Sequence, residues 1–322
     1  MAQHNSPFST KVAVAPVDWP WDHLPVEVSQ SLALSMAEQF DVGPIYLLID
    51  PMLGPVEQLP PHLERYPIPG DGLGITPDDM PFLVEFETCD DPTLIDSLSW
   101  AAAEQLKAIA AGSGAYRLGG WLQPHDTGPA VDLADQIGGL LRAQGGANGG
   151  RYLRLADRRV LDLLRHAATP PIDWTAQLQG ISNWVYLDRN FKLCSVRGRP
   201  GLATTDPLRM SPAHWDLVAQ AEAINRSLMA WQRTTHPLPD NAVHQLLPAL
   251  LRARQQGLQR PDDQAAYAVE AVRYPAFEQW PNLPGRIARS LKTRQPLADR
   301  LEALRDQWSD ATDNTLRPRP NL

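Results

Sequence analysis

Two neighbouring residues, His125 and Asp126, have side chains that could carry out acid–base chemistry. A histidine oriented by a carboxylate acts as the base in nucleophilic catalysis, and Ser113 is a hydroxyl that such a pair could activate. Adjacency in sequence does not create that geometry, and a polar His-Asp pair in a segment with Pro and Gly is typical of a solvated turn. The chain has no Gly-x-Ser-x-Gly elbow, no Walker-type loop and no His-Glu-x-x-His pair. We therefore predict a protein that is not an enzyme, with a His125/Asp126 hydrolase as the alternative.

The sequence contains no recognised spacing of metal ligands. The eight histidines are scattered, no two of them stand at i and i+4, and Cys89 and Cys194 are isolated. The glycine cluster at 70–74 precedes a predicted strand, whereas a phosphate-binding loop follows a strand and opens a helix. We expect no metal and no cofactor, and we interpret the two thiols as small buried apolar residues.

Charged residues concentrate in the segment 151–164, which we call the hub. Residues 152–155 alternate as a strand does, Asp157 is a favourable helix N-cap, and apolar residues then recur at helical spacing. The arginines could bind an anion, but arginine also makes two-pronged contacts with carboxylates, which favours internal pairing with Asp157 and Asp162. We predict a structural hub formed by Arg151, Arg154, Asp157 and Arg159, with Arg158 beside them.

The hub resembles a segment of a known family. Residues 154–161 read R-x-x-D-x-R-V-L, as in the DUF4123 proteins, which are adaptor chaperones of bacterial type VI secretion. Residues 43–50 are similar to the family's opening strand, 80–86 to its P-Y-L-V strand, 116–122 to its third strand, and 131–142 to its L-x-x-H-L-R helix. The resemblance covers roughly residues 43–190. The chain departs from the pattern in lacking an aromatic residue just before the hub arginine and in the Gly-rich stretch 145–150 that replaces the usual turn.

The resemblance implies an adaptor that binds a secreted effector and promotes its loading onto a VgrG-type spike. It also implies an α/β domain followed by a helical lobe. Such an adaptor would mask an aggregation-prone apolar segment of the effector until loading. We expect that binding to depend on buried apolar area and only weakly on salt.

Composition restricts the other classes of partner. The 322 residues carry a formal net charge of -8, which argues against nucleic acid or an anionic membrane as the main partner because both require a basic surface. No apolar run approaches the roughly 20 residues that cross a bilayer, so we expect no membrane insertion. The first seven residues lack a charged-then-apolar targeting pattern, and two lone cysteines fit a reducing compartment. We therefore expect a cytoplasmic location.

The order of predicted strands and helices divides the chain. Strands alternate with helices up to residue 194, which predicts an α/β N-terminal domain with a small mixed sheet covered by helices, and 184–187 is expected to be its final edge strand. Later residues show only helical spacing and predict an all-α lobe. The predicted units are an N-terminal extension and helix (1–42), the α/β domain (43–194), a linker (195–213), the helical lobe (214–316) and a disordered tail (317–322).

Tryptophans are the candidates for binding a partner. Tryptophan is enriched at the centres of protein interfaces, and the chain has ten. The alternative is that each one packs into the protein's own core. A regulatory protein-binding module remains a further possible function of such a surface. The predicted partner-binding residues are Trp19, Trp21, Trp215, Trp231 and Trp280.

Overall fold

A computed structural model describes residues 26–144, 150–201, 205–234, 237–280, 282–302 and 304. The predictions for the N-terminal extension up to residue 25, including Trp19 and Trp21, and for the tail 317–322 lie outside the described residues.

The described chain contains two antiparallel sheets. The larger has six strands in the order β2-β3-β1-β4-β7-β8, and the smaller is the hairpin of β5 and β6. The strands are β1 (Ile45–Ile49), β2 (Arg65–Pro67), β3 (Phe82–Phe86), β4 (Leu118–Pro124), β5 (Arg142–Gln144), β6 (Gly150–Tyr152), β7 (Ile181–Leu187) and β8 (Leu193–Val196).

Ten helices account for much of the remaining described chain, beside three short 3-10 turns. They are α1 (Val26–Ala37), α2 (Pro92–Ala111), α3 (Ala130–Leu141), α4 (Arg158–Ala167), α5 (Trp174–Gln177), α6 (Pro212–Ala219), α7 (Ala221–Gln232), α8 (Ala242–Gln255), α9 (Pro261–Arg273) and α10 (Leu283–Thr293). Residues 297–302 are also helical. The long helical run that begins at 212 follows the sheet in the chain, an order compatible with the predicted lobe.

The pairing of the large sheet corrects the prediction of a mixed sheet. Every neighbouring pair of its strands is antiparallel. The connection from β3 through α2 to β4 is the strand-helix-strand unit that suggested parallel pairing, and β3 and β4 do run in the same direction. However, β1 lies between them and is antiparallel to both, which makes a split β-α-β unit.

The strand predicted at the sheet edge, 184–187, lies inside the sheet. It belongs to β7, which pairs with β4 on one side and with β8 on the other. The edge strand is β8, in a stretch that the sequence analysis divided between the domain and the linker. The nearly continuous burial of β7 is typical of a strand covered on both faces.

Strand β1 shows how the sheet separates two layers of core. Tyr46 and Leu48 face one apolar cluster, while Ile45, Leu47 and Ile49 face the other. The second cluster lies under α1 and α2. The first cluster lies under α3 and α4 and continues without interruption into α6, α7, α8 and α9.

A third apolar cluster is confined to the end of the described chain. It is formed by Ala253, Leu258, Tyr267, Phe277, Trp280, Leu283, Ile287, Leu297, Leu301 and Leu304. Tyr267 and Trp280 each make an edge contact with the ring of Phe277, with ring centroids 5.0 and 5.1 Å apart. This cluster fixes α10 against α8 and α9.

Candidate functional site

The hub begins within the short strand β6 and leads into α4. Arg154 extends from this junction to the end of β1, where its Nε donates to Oδ2 of Asp50 at 2.5 Å. The Asp50 side chain is fully buried, and burial raises the pKa of its carboxyl although the bond to Arg154 lowers it. Because the two residues are 104 positions apart in the sequence, this ion pair ties the hub to the sheet.

Arg158 is the most deeply buried arginine of the hub. Its Nη1 donates to the carbonyl of Leu118 at 2.8 Å and its Nη2 to the carbonyl of Ala101 at 2.6 Å. Glu104 on α2 supplies the compensating charge, with 3.5 Å between Nη1 and Oε2. The side chain thus links α4 to α2 and β4. The sequence analysis did not find Glu104, which appears only as a polar residue within a long helix.

Asp157 and Arg159 form a local pair at the start of α4. The carboxylate accepts from the Arg159 backbone N–H at 3.0 Å, which caps the helix, and from Arg159 Nη2 at 2.6 Å. Burial alone would raise the pKa of Asp157, but the charge and hydrogen bonds of Arg159 lower it overall. The guanidinium of Arg159 also lies 4.0 Å from the ring centroid of Tyr116.

Arg151 does not join this cluster. It is exposed, and its guanidinium lies 4.5 Å from the ring centroid of Trp215 on α6. The prediction of a four-residue hub is corrected at this position, because the strand carries Arg151 away from the α4 junction. The cluster that the structure brings together is formed by Arg154, Asp157, Arg158 and Arg159.

A cleft of about 310 Å³ lies between the hub and α7. The hub supplies three charged side chains, Arg154, Asp157 and Arg159, and α7 supplies a further acid, base and amide. The residues that line the cleft are Leu53, Ser113, Gly114, Arg154, Asp157, Arg159, Val160, Ala221, Glu222, Asn225, Arg226 and Met229. Neither Ser113 nor the residues of α7 were predicted to belong to a hub site, because these distant segments meet the hub only in the folded chain.

A smaller cavity of about 20 Å³ adjoins the cleft, with Arg159, Asn225 and Met229 in both linings. This volume is enough for about one water molecule. Buried polar residues surround it, including Arg158 and Asp162.

Asp162 is the centre of a second buried network, on α4. Its carboxylate accepts from Arg189 Nε at 2.8 Å and from the Tyr186 hydroxyl at 3.1 Å, and it lies 3.1 Å from Nδ1 of His166. Burial would raise the pKa of Asp162, but the contacts with His166 and Arg189 lower it overall. The hydrogen bond to Asp162 raises the pKa of His166. The sequence analysis expected Asp162 to pair with the hub arginines, whereas its arginine partner comes from the β7–β8 turn.

The structure separates the residues of the hydrolase alternative. Ser113 precedes β4 and His125 follows it, so the strand, roughly 20 Å long, lies between them. The His125 backbone N–H donates to the carbonyl of Gly180 at 2.8 Å, and Asp126 is exposed. The proposed combination of Ser113 with His125 and Asp126 is therefore not assembled.

Burial decides which tryptophans can contact a partner. Trp231 is 6% exposed and Trp280 is 2% exposed, so both belong to the core and are corrected as partner-binding candidates. Trp231 is buried in the apolar cluster that continues from the sheet into α7, and Trp280 is buried in the third cluster beside Phe277. Trp215 is only partly buried and remains accessible beside Arg151.

Other potential reactive groups are dispersed in the described chain. No three His, Cys, Asp or Glu side chains among these residues are grouped as metal ligands would be. Cys89 and Cys194 are partly buried and unpaired with each other, and burial raises the pKa of the Cys194 thiol to about 12. Among the helices that the structure describes, none has the length and apolar character needed to cross a membrane.

Comparison with protein-family models, with curated proteins and with solved structures gave no match.

Proposed function

We propose that the chain is an adaptor chaperone of type VI secretion that binds an effector in the cytoplasm and promotes its loading onto a VgrG-type spike. The similarity of residues 43–50 and 154–161 to the DUF4123 pattern is the origin of this proposal. The observation that carries it is the ion pair between Asp50 and Arg154, one residue from each of those two segments. Two segments that belong to one family pattern because they stabilise the same fold should be in contact, as residues 43–50 and 154–161 are through this ion pair.

The state of the hub charges also supports a binding function over a catalytic one. Asp157 is held by Arg159, and Glu104 lies close to both Arg117 and Arg158. These carboxylates are engaged in structural ion pairs, and the pKa of Asp157 is lowered, while burial raises the pKa of Asp50, which is paired with Arg154. A general acid or base needs a pKa near the working pH.

The accessible surface offers apolar side chains for a polypeptide partner. Leu34 on α1 is 72% exposed, and Val42, just before β1, is fully exposed. Trp215 and Arg151 form a further contact, in which Arg151 is exposed and Trp215 is partly exposed. Aromatic and arginine side chains are the residues most often found at interface hot spots.

The decisive experiment is co-purification of the tagged full chain with a secreted effector that is expressed in the same cells. We expect the effector to be retained and to stay soluble, with little loss of binding when salt is raised. Trp215→Ala should reduce retention, because it removes accessible aromatic area, while His125→Ala should leave retention unchanged.

The hydrolase alternative makes the opposite prediction for His125→Ala. Loss of a measurable turnover in this variant, together with no effector retained by the unmodified chain, would refute the adaptor proposal. A spike protein recovered only when the effector is present would support the order of loading.

A further inference from the structure

The outer surface of α10 and of the residue that caps its C-terminus carries a run of cations. Residues 286–294 contain four basic side chains and no aspartate or glutamate, within a chain whose formal net charge is -8. Arg289, Lys292 and Arg294 are exposed, and Arg286 is half-buried. We call these four residues the α10 basic surface. A local concentration of cations on an acidic protein favours an anionic partner at this position.

The cations of the α10 basic surface have no internal ion pair. Of the carboxylates in the part of the chain that the structure describes, none lies within ion-pair distance of these four side chains. Other arginines of the helical run do have such partners: Arg226 pairs with Glu222 and Asp262, Arg252 with Glu278, Arg260 with Asp263, and Arg273 with Glu270. The charge of α10 is therefore available to another molecule, whereas the charge of those arginines is neutralised within the chain.

The stability of α10 itself does not account for these positions. Arg286 lies in the first turn, where a cation opposes the helix dipole, and only Lys292 in the last turn is favoured by it. Arg286 and Arg289 are three residues apart, as are Arg289 and Lys292, so like charges are neighbours on the helix surface and repel one another. Carboxylates supplied by a partner would offset this repulsion.

The inner side of α10 is fixed to the protein. Leu283 and Ile287 are buried in the third apolar cluster, so the cations are presented on a helix with a fixed position. Helices that enter a membrane surface bury an apolar face in the lipid, but the apolar face of α10 is already covered. Its exposed large apolar side chain is Leu291, which is 45% exposed and lies beside Gly257, just after α8.

The dimensions of the α10 basic surface fit a short segment. Arg286 and Lys292 are roughly 9 Å apart along the helix axis, the length of about three residues of extended chain. Proteins that bind duplex nucleic acid typically contact about 6–10 phosphates, more than four side chains can neutralise. Carboxylates of a polypeptide segment match this surface better, because the planar guanidinium of arginine binds a carboxylate with two parallel hydrogen bonds.

We propose that the α10 basic surface binds an acidic segment of another polypeptide. Carboxylates of that segment pair with its four cations, and an aliphatic residue between them contacts Leu291. This contact goes beyond the proposed adaptor function, in which binding depends on buried apolar area and only weakly on salt. Binding at α10 depends strongly on salt, because its charges are largely exposed and are therefore screened.

The test measures peptide binding to the full chain by fluorescence anisotropy. The probe is a labelled peptide Glu-Glu-Leu-Glu-Glu, and the matched peptide Gln-Gln-Leu-Gln-Gln lacks its side-chain charges. We expect the glutamate peptide to bind at least about tenfold more tightly than the glutamine peptide at about 20 mM salt, and to lose about tenfold in affinity at about 200 mM salt. Equal binding of the two peptides, or binding of the glutamate peptide that salt does not change, would overturn the proposal.

A matched pair of double variants tests the location. The α10 variant combines Arg289→Gln with Lys292→Gln, and the control variant combines Arg197→Gln with Arg199→Gln, just after β8. All four side chains are exposed and form no ion pair with a described residue, so we expect unchanged melting temperatures. The α10 variant should bind the glutamate peptide at least about fivefold more weakly, since each exposed ion pair contributes little, and the control variant within about twofold of the unmodified protein. Equal weakening in both variants would show that only net charge matters and would overturn the proposal.

Other occupants of this surface are tested with the same two proteins. Vesicles that contain phosphatidylserine, or a DNA duplex of about 20 base pairs, should bind the unmodified chain more weakly than the glutamate peptide does. Tighter binding of either one that is lost in the α10 variant would overturn the assignment to a polypeptide. Sedimentation at low salt should be the same for both proteins, and oligomers formed only by the unmodified chain would overturn the proposal in favour of a second copy of the chain.

The peptide measurement also separates this proposal from the adaptor function. If a chain that retains an effector does not bind the glutamate peptide, the α10 proposal is overturned and the adaptor function stands. Binding of the glutamate peptide by a chain that retains no effector would support the α10 basic surface and count against the adaptor function.

Discussion

At the scale of single residues, the hub arginines differ in what they do although they are close together in sequence. Arg154 is held by Asp50, Arg158 by Glu104 and two carbonyls, and Arg159 by Asp157. The sequence indicated an ion-pair cluster at this segment, and Asp157 with Arg159 could be predicted from their spacing. Asp50 and Glu104 could not, because a carboxylate 54 to 104 positions away has no local pattern that identifies it.

His166 gives the residue-scale prediction, which concerns pH. Its pKa is raised by the hydrogen bond to Asp162, so the charged form is favoured in the folded protein. Its contribution to the free energy of unfolding is therefore complete below the ordinary pKa of 6.5 and is lost as the pH rises through the raised value. Because the side chain is 49% exposed, we expect His166→Gln to cost only about 0.5 kcal/mol at about pH 5.5 and close to zero at about pH 8.5.

Urea unfolding of the unmodified protein and of His166→Gln at the two pH values measures this difference in the free energy of unfolding. His62 is exposed, and His62→Gln serves as the control, with an unfolding free energy like that of the unmodified protein at both pH values. A cost of His166→Gln that increases towards alkaline pH would contradict the assigned direction of the pKa change.

At the scale of elements, helix ends were easier to predict than strand partners. Asp91 accepts from the backbone N–H groups of Thr93 and Leu94 and so starts α2, and Gly112 ends it in a left-handed conformation. Both signals depend only on residues next to the helix ends in the sequence. The insertion of β1 between β3 and β4 has no such local signal, because strand order depends on which apolar faces meet after the chain collapses.

Helix α8 gives the element-scale prediction. Pro248 is exposed in the interior of the helix and cannot donate a backbone hydrogen bond to the carbonyl of His244. Pro248→Ala restores that backbone donor, and alanine is a better helix former than proline. We therefore expect the free energy of unfolding to rise by about 1–3 kcal/mol. Pro261→Ala at the start of α9 is the matched control, because the backbone N–H of a residue in the first turn has no helical acceptor to bind. Chemical unfolding measures both variants. If Pro248→Ala and Pro261→Ala increase the free energy of unfolding equally, Pro248 does not limit the stability of α8.

At the scale of the whole molecule, one core joins the sheet to the helices that follow it. Leu161 on α4, Leu122 on β4 and Leu228 on α7 belong to the same buried cluster, while the cluster that fixes α10 contains only residues from Ala253 onwards. Elements that share a core should lose their structure together.

Native-state hydrogen exchange tests this organisation. We expect the slowest amides of β4, β7 and α7 to exchange with the same free energy, that of global unfolding, and those of α10 to exchange through a smaller opening. Separate opening of α6 to α9 while the sheet stays protected would contradict a shared core and would favour two independently folding units.

The sequence by itself determined where many of the helices and strands lie, the position of the hub and the N-cap of α4. Each of these depends on residues close together in the chain, where side-chain periodicity and backbone capping act directly. The tertiary structure alone decided the antiparallel order of the sheet, the partners of Arg154 and Arg158, the burial of Trp231 and Trp280, and the cleft beside α7. These depend on contacts between distant segments, which form only where packed faces exclude water and bring unrelated parts of the chain together.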